Sequence, residues 1–322
     1  MQTVLVTGGA GFLGSHICRI LRARGDAVVN FDIAKYPDDT LGIVNSPGQI
    51  NDLPAVIRAC RTHAVNGIIH TVALQASNDI PYSTYLINVF GALNVLEATR
   101  LAPVGRVVLC SSEAAYQATA SEPMNEDHPV FSSSEGAPAA HYGASKAAAD
   151  VIALTYFSYD GLDVRVCRLS SIYGPGMRAS MYIREMVENA VAGIPTRFAS
   201  GGSMRRDYTH VLDAADGIVR AFDADGTRLR HRLFNIASGR TVTAGDVARV
   251  VRSVVSTADI EIGAELSARE RQAIKTRGTL DISRAETELG YRPRFDIESG
   301  IRQYVETLRR REGKAPVMAA AG

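Results

Sequence analysis

Short apolar runs rich in β-branched residues alternate along the chain with stretches whose apolar positions recur every three to four residues. Residues 2–7 (QTVLVT) form the first apolar run and 12–24 the first stretch with helical spacing, which predicts a strand followed by a helix. A second apolar run, AVVNFD, closes at Asp32. A helix is expected from about Asp52 and Leu53 to residue 61, a strand over 67–73 and a long amphipathic helix over 81–101. A strand over 106–111 ends in Ser111 and Ser112, residues 139–159 read as helix and 163–169 as strand. Strands alternating with helices predict an α/β fold built on a parallel sheet. Residues 34–49 and 118–140, broken by Gly, Pro and Ser, read as loops, the second as an ordered loop or lid. The second half is less regular. It carries helical patterns near 181–192, 213–222, 243–256, 283–289 and 297–311, and strands near 205–211 and 233–237. Residues 312–322 read as a disordered tail.

The turn between the first strand and the first helix holds Gly8, Gly11 and Gly14 in G-x-x-G-x-x-G spacing. Glycine permits a tight turn, a close approach of backbone to pyrophosphate and close packing of helix on strand. The free N–H groups at the helix start then face phosphate oxygens. Asp32 ends the second strand 18 residues after Gly14, where a carboxylate can accept hydrogen bonds from both ribose hydroxyls of an adenosine. Strand, glycine turn, helix and acidic strand end together predict a dinucleotide site. The bland alternative, an ordinary βα turn, leaves Asp32 without a purpose.

Composition narrows the partners. The 322 residues are 46% hydrophobic and 21% charged with a net charge of +1, which permits a sizeable core and gives no strong pull toward nucleic acid or membrane. No apolar run approaches a membrane span, and a strand starting at residue 2 or 3 predicts no leader peptide. Cys18, Cys60, Cys110 and Cys167 form no C-x-x-C pair, so reduced, buried thiols and a cytoplasmic location are expected. The seven histidines show no metal-ligand spacing, and no metal is expected.

Candidate chemistry lies in three places. In YGASK (residues 142–146) a phenol and an ammonium stand four residues apart, so on a helix Tyr142 and Lys146 share a face. A nearby positive charge favours a phenolate, and such a phenol can take a proton from an alcohol or return one to a ketone. The bland alternative is a surface pair without a role. Ser112 closes a strand where ligands collect in an open α/β sheet, and its hydroxyl can hold a reacting oxygen. Ser111 reads better as a loop-starting residue. In RDYTHVLD (residues 206–213) Asp207 and Asp213 read as a structural ion-pair partner and a helix cap. Arg206 is the functional candidate there, because a guanidinium matches phosphate geometry.

In this order these segments resemble the extended short-chain dehydrogenase/reductase family, in its NAD-dependent nucleotide-sugar epimerase/dehydratase branch of the UDP-glucose 4-epimerase type. The likeness runs over roughly residues 2–310. It rests on TGGAGFLG (7–14), Asp32, Asp52-Leu53, HTVA (70–73), NVFG (88–91), Ser111-Ser112, YGASK, RLSSIYGP (168–175), RDYTHVLD, FNI (234–236), Asp281 and LGYRP (289–293). The resemblance implies that Gly8, Gly11, Phe12, Leu13 and Gly14 lie on the pyrophosphate of NAD and that Asp32 binds the adenosine ribose. Asp52 and Leu53 would lie at the adenine, and Ala73 and Asn88 would line the cofactor cleft. It implies Tyr142 as acid/base, Lys146 on the nicotinamide ribose and Ser112 at the reacting oxygen. Arg206 and Arg271 would clamp a substrate diphosphate. Three positions depart from the family pattern. Ser171 stands where an Asn usually contacts the diphosphate, and Gln117 where glycine is common. Glu113-Ala114 stands where the 4,6-dehydratases carry Asp-Glu, so the second carboxylate needed for water elimination is missing.

The combined expectation is a Rossmann-type doubly wound sheet over residues 1–171, with segments near 205–237 returning to it. A smaller substrate lobe would be drawn mainly from 172–311. The expected activity is epimerisation at C4 of a nucleotide sugar through a transient ketone. Net NAD-dependent oxidation or reduction of a free sugar, sugar acid or other hydroxy compound is the alternative, and a silent nucleotide-sensing protein a remote one. The family habit of pairing two long helices per subunit implies a homodimer through residues 81–101 and 142–159, with no nucleic-acid or membrane partner.

Overall fold

A computed structural model of the chain describes residues 2–75, 80–116, 121–131, 140–275, 277–311 and 313. β1 (Thr3–Thr7) leads through the glycine turn into α1 (Phe12–Ala23), followed by β2 (Ala27–Asp32) and β3 (Val44–Pro47). Next come α2 (Leu53–Thr62), β4 (Gly67–His70), α3 (Pro81–Tyr85), α4 (Gly91–Leu101) and β5 (Arg106–Ser112). α5 (Ala140–Asp160), β6 (Val164–Leu169), β7 (Ser171–Tyr173), α6 (Tyr182–Ala192), β8 (Thr196–Phe198) and β9 (Arg205–His210) lead to α7 (Val211–Asp223) and β10 (Leu233–Ile236). The chain continues through β11 (Thr241–Thr243), α8 (Ala244–Val254), β12 (Ile260–Ile262), α9 (Ala268–Ile274), α10 (Ser283–Leu289) and α11 (Ile297–Arg311).

Seven parallel strands form the main sheet in the order β10-β6-β5-β4-β1-β2-β3. The continuous apolar runs of its central strands follow from burial on both faces. On one face Val4, Val6, Ile17, Leu21 and Phe222 pack α1 and α7. On the other, Leu5, Val29, Val56, Leu96 and Ala153 pack α2, α4 and α5. A separate core, with Ile183, Val187, Val251 and Tyr304, joins α6, α8 and α11. The winding order turns around between β1 and β4, which opens a crevice at the carboxyl ends of the strands. Among the described residues no helix is long and apolar enough to cross a membrane.

The structure departs from expectation where local signals are short. β3 lies inside the segment expected to be loop; its four residues show no alternating burial, and it ends in Pro47 at the sheet edge. The single helix expected over 81–101 is divided by a π turn at Leu86–Phe90. β7, β8, β11 and β12 have three residues each, too few to carry a period. Within the expected lid, Met124 is fully buried and pairs with Leu280. Gln117, the remainder of the lid at 118–120 and 132–139, and the expected tail apart from Gly313 lie outside the described residues.

Candidate active site

One cavity of about 800 Å³ opens at the carboxyl ends of β1, β2, β4, β5 and β6. Its floor is the glycine turn. Gly8 has φ +75°, a conformation that costs glycine nothing, and Gly11 N–H donates to its carbonyl at 2.9 Å. α1 begins at Phe12, with Gly11 at its N-cap, no side-chain cap and no acidic residue in its first turn, so the N–H groups of Phe12, Leu13 and Gly14 are left to an anion. Asp32 lies at the rim, held by the N–H groups of Ala10 at 3.2 Å and Ala34 at 3.0 Å. Lys35, a nearby cation in the sequence, pairs with Asp39 at 2.8 Å.

The opposite wall carries Tyr142, Lys146 and Ser112. Tyr142 and Lys146 occupy successive turns of α5, with the Lys146 ammonium 6.0 Å from the centre of the Tyr142 ring. Lys146 is buried, and its Nζ donates to the Cys110 carbonyl at 2.8 Å, which fixes the charge against the end of β5. Burial, and after it the Lys146 charge, holds His70 down at about 3, so that imidazole is neutral at physiological pH. Ser112 starts a 3-10 turn, and its oxygen accepts from Ala114 N–H at 3.1 Å, leaving the hydroxyl hydrogen to a ligand oxygen.

Beyond Ser112 is a charged cluster. Glu113, 2% exposed, accepts at Oε1 from Arg277 Nη1 at 2.8 Å and Ser171 Oγ at 3.1 Å. Arg206 Nη1 donates to Ser171 Oγ at 3.4 Å. Burial, and after it the neighbouring Arg277 charge, lowers the Arg206 pKa below its ordinary value; the guanidinium remains ionised at neutral pH, with its charge poorly solvated and in want of an anion. Asp207, pushed up to about 7 by burial, serves structure: it accepts from Ser238 and Gly239 N–H groups and ties β9 to the loop after β10.

Gly8, Gly11, Phe12, Leu13, Gly14, Asp32, Ala73, Ser112, Tyr142, Lys146, Ser171 and Arg206 all line this cavity. Four expected residues do not. Arg271 is exposed on α9 and donates to the Leu266 carbonyl instead of reaching the cavity. The arginine that joins Arg206 there is Arg277, for which the sequence offers no signal. Asp52 caps α2 by accepting from Ala55 N–H at 3.0 Å, and Leu53 packs against the core at the start of that helix. Asn88 is buried behind the wall. Its side chain binds both backbone groups of Leu74, at 2.8 and 3.1 Å, and the Ser145 hydroxyl at 2.9 Å. It therefore shapes the loop after β4 from the π turn rather than touching the cavity. Among the described residues no group of side chains is placed to hold a metal ion.

The sequence model of the NAD dependent epimerase/dehydratase family matches residues 4–237. UDP-glucuronate 4-epimerase 4 of Arabidopsis thaliana is 27% identical over 332 residues, covering 94% of this chain and 74% of that protein. A dTDP-glucose 4,6-dehydratase of an Actinoplanes species is 28% identical over 330 residues, covering 95% of this chain and 97% of that one. The crystal structure of the Thermus thermophilus UDP-glucose 4-epimerase complexed with NAD matches with a TM-score of 0.80 and 27% identity, over 95% of this chain and 99% of that one.

Proposed function

This chain belongs to the NAD-dependent epimerase/dehydratase family, and from that premise we propose that it inverts C4 of a nucleotide sugar with NAD held in the cavity. The observation that carries the reading is the meeting of Tyr142, Lys146 and Ser112 with an uncapped helix N-terminus across one cavity. The bare N–H groups fit a pyrophosphate, and Asp32 fits an adenosine ribose. NAD, when bound, takes up a hydride and gives it back. Tyr142 accepts the C4 hydroxyl proton and returns it to the ketone oxygen. Ser112 donates to that oxygen, and Lys146 holds the ribose beside Tyr142. Arg206 and Ser171 anchor the diphosphate while the ketone turns over. Ala114, fully buried, stands where elimination of water would call for a second carboxylate, which favours epimerase over dehydratase. The test is incubation with NAD and a panel of UDP-sugars and free sugar acids, followed by NMR and NADH absorbance. Interconversion of a UDP-sugar pair without net NADH is expected.

Asp32 makes NAD the preferred cofactor. A carboxylate accepts from two ribose hydroxyls and repels a 2′-phosphate, and the neighbouring Lys35 pairs with Asp39. Titration is expected to show at least roughly tenfold tighter binding of NAD than of NADP, about 1.4 kcal/mol. Equal affinities would contradict this role.

We read residues 1–171 with the returning 205–237 segment as the cofactor lobe, and the rest up to 311 as mainly a substrate lobe. A homodimer joined through residues 81–101 and 142–159 fits the exposed apolar side chains of Phe90 (55%) and Val151 (59%). Phe157 adds less, because Arg232 stacks on it at 4.5 Å. Sedimentation at micromolar concentration is expected to give a dimer mass and Val151→Arg to shift it toward monomer; a wild-type monomer would contradict the interface. A cytoplasmic location fits four buried, unpaired cysteines.

A further inference from the structure

Glu113 follows Ser112 at the tip of β5 and lines the same cavity, one residue from the group expected to hold the reacting oxygen. Consecutive Cα atoms are about 3.8 Å apart, so a C4 hydroxyl seated on Ser112 brings the substituents on the neighbouring ring carbons toward Glu113. Two features make this carboxylate unusual. Its Oε2 is buried without a hydrogen-bond partner, whereas Oε1 is held by both Arg277 and Ser171. Buried acceptors are normally satisfied, so a donor is wanted at this wall. Arg277, in turn, pairs with Glu113 through Nη1 while its Nε is buried without a partner, and its side chain is only 21% exposed.

We propose that Glu113, held by Arg277, is a specificity-determining residue that selects nucleotide sugars carrying a neutral hydroxymethyl group at C5 over those carrying a C5 carboxylate. The inference rests on the epimerase reading above. A hydroxyl supplies the donor that the free side of Glu113 lacks. A uronic acid brings a second carboxylate into a poorly solvated wall, where like charges repel strongly. The Nε of Arg277 offers that acid one donor, but the guanidinium charge is already matched by Glu113. Were Arg277 to turn wholly to the acid, the Glu113 charge would be left buried and unpaired. Counting Arg206 and Arg277 against Glu113, the cluster keeps one net positive charge, which the diphosphate already uses. Discrimination here comes from the repulsive element as much as from the attractive one.

The test compares kcat/KM for UDP-glucose and UDP-glucuronate in the wild type, Glu113→Gln and Glu113→Asp, with NAD affinity and circular dichroism as checks of folding. The wild type is expected to favour UDP-glucose by about tenfold or more, and Glu113→Gln to shrink that ratio by about tenfold, mainly by lowering KM for the acid. Glu113→Asp, which keeps the charge, is expected to retain the preference. Should Glu113→Gln fail to fold because Arg277 is left alone, the double change Glu113→Gln/Arg277→Gln removes the pair together and is expected to lose the preference too. A wild type that favours UDP-glucuronate overturns the inference, as does a ratio that neither change moves. Turnover of neither sugar by the wild type would instead overturn the functional reading itself, and this inference with it.

Discussion

Tyr142→Phe is expected to lower turnover by roughly 10²–10⁴-fold, the usual range for loss of a general acid/base, while fold and NAD affinity stay near wild type. In the proposed mechanism only the phenol oxygen takes part, and a Phe ring keeps the same place on α5. Lys146 is anchored by the Cys110 carbonyl and does not depend on the Tyr142 hydroxyl for its position. His70, the nearby alternative base, is buried against Thr7 at 2.7 Å and does not line the cavity. The defect therefore belongs in kcat, with KM little changed. Stopped-flow measurement of the first hydride transfer separates the cases. A Phe variant that keeps most of its rate would remove Tyr142 from the mechanism.

The second large effect is expected from Gly14→Ala. A methyl group built on Gly14 would lie 2.1 Å from the Gly8 carbonyl oxygen and 2.9 Å from Gly9 Cα, both backbone atoms without a rotamer to escape into. The first turn of α1 must then move off β1, which widens the spacing of the N–H groups of Phe12 and Leu13. Overpacking of this kind costs ~3 kcal/mol at the upper end of its usual range. The loss of phosphate contacts adds a fall in NAD affinity of about 100-fold, some 2.7 kcal/mol. Calorimetric titration with NAD and a thermal melt without it report the two effects separately. Gly25→Ala serves as the control, since no atom lies within 4 Å of its added methyl, although its positive φ carries a modest cost. Unchanged NAD affinity in Gly14→Ala would show that the glycine turn is not the pyrophosphate site.

What the sequence revealed was whatever repeats or sits within one turn. The glycine spacing, the Asp32 strand end and the Tyr142–Lys146 pair are local, and each is found where its pattern places it. Ser112 was legible because a strand end in a parallel sheet is itself a functional place. The arginines were harder. Arg271 matched by its place in the chain, but α9 turns its guanidinium onto the Leu266 carbonyl. Arg277 enters the cavity because the segment after α9 is tied across the molecule. The Thr279 carbonyl accepts from Met124 N–H and Asp281 N–H donates to the Met124 carbonyl, both at 2.8 Å. Pairings between segments so far apart in the chain leave no period in it. Asn88 was legible as an important residue but not as a buried one, since only the π turn decides which way it faces. Glu113 was noticed as a departure; that it is buried and tied to Arg277 only the fold reveals.

In the proposed reaction one hydride leaves C4 and returns to the same carbon without leaving the site. UDP-glucose labelled with deuterium at C4 tests it most directly, with excess unlabelled NAD in solution and the product sugar read by NMR and mass spectrometry. The expected result is a C4-inverted product that keeps its deuterium at C4, with no label accumulating in free reduced cofactor. Deuterium appearing in released NADH, one equivalent for each sugar oxidised and with no inverted sugar formed, would contradict it and make the protein a net dehydrogenase.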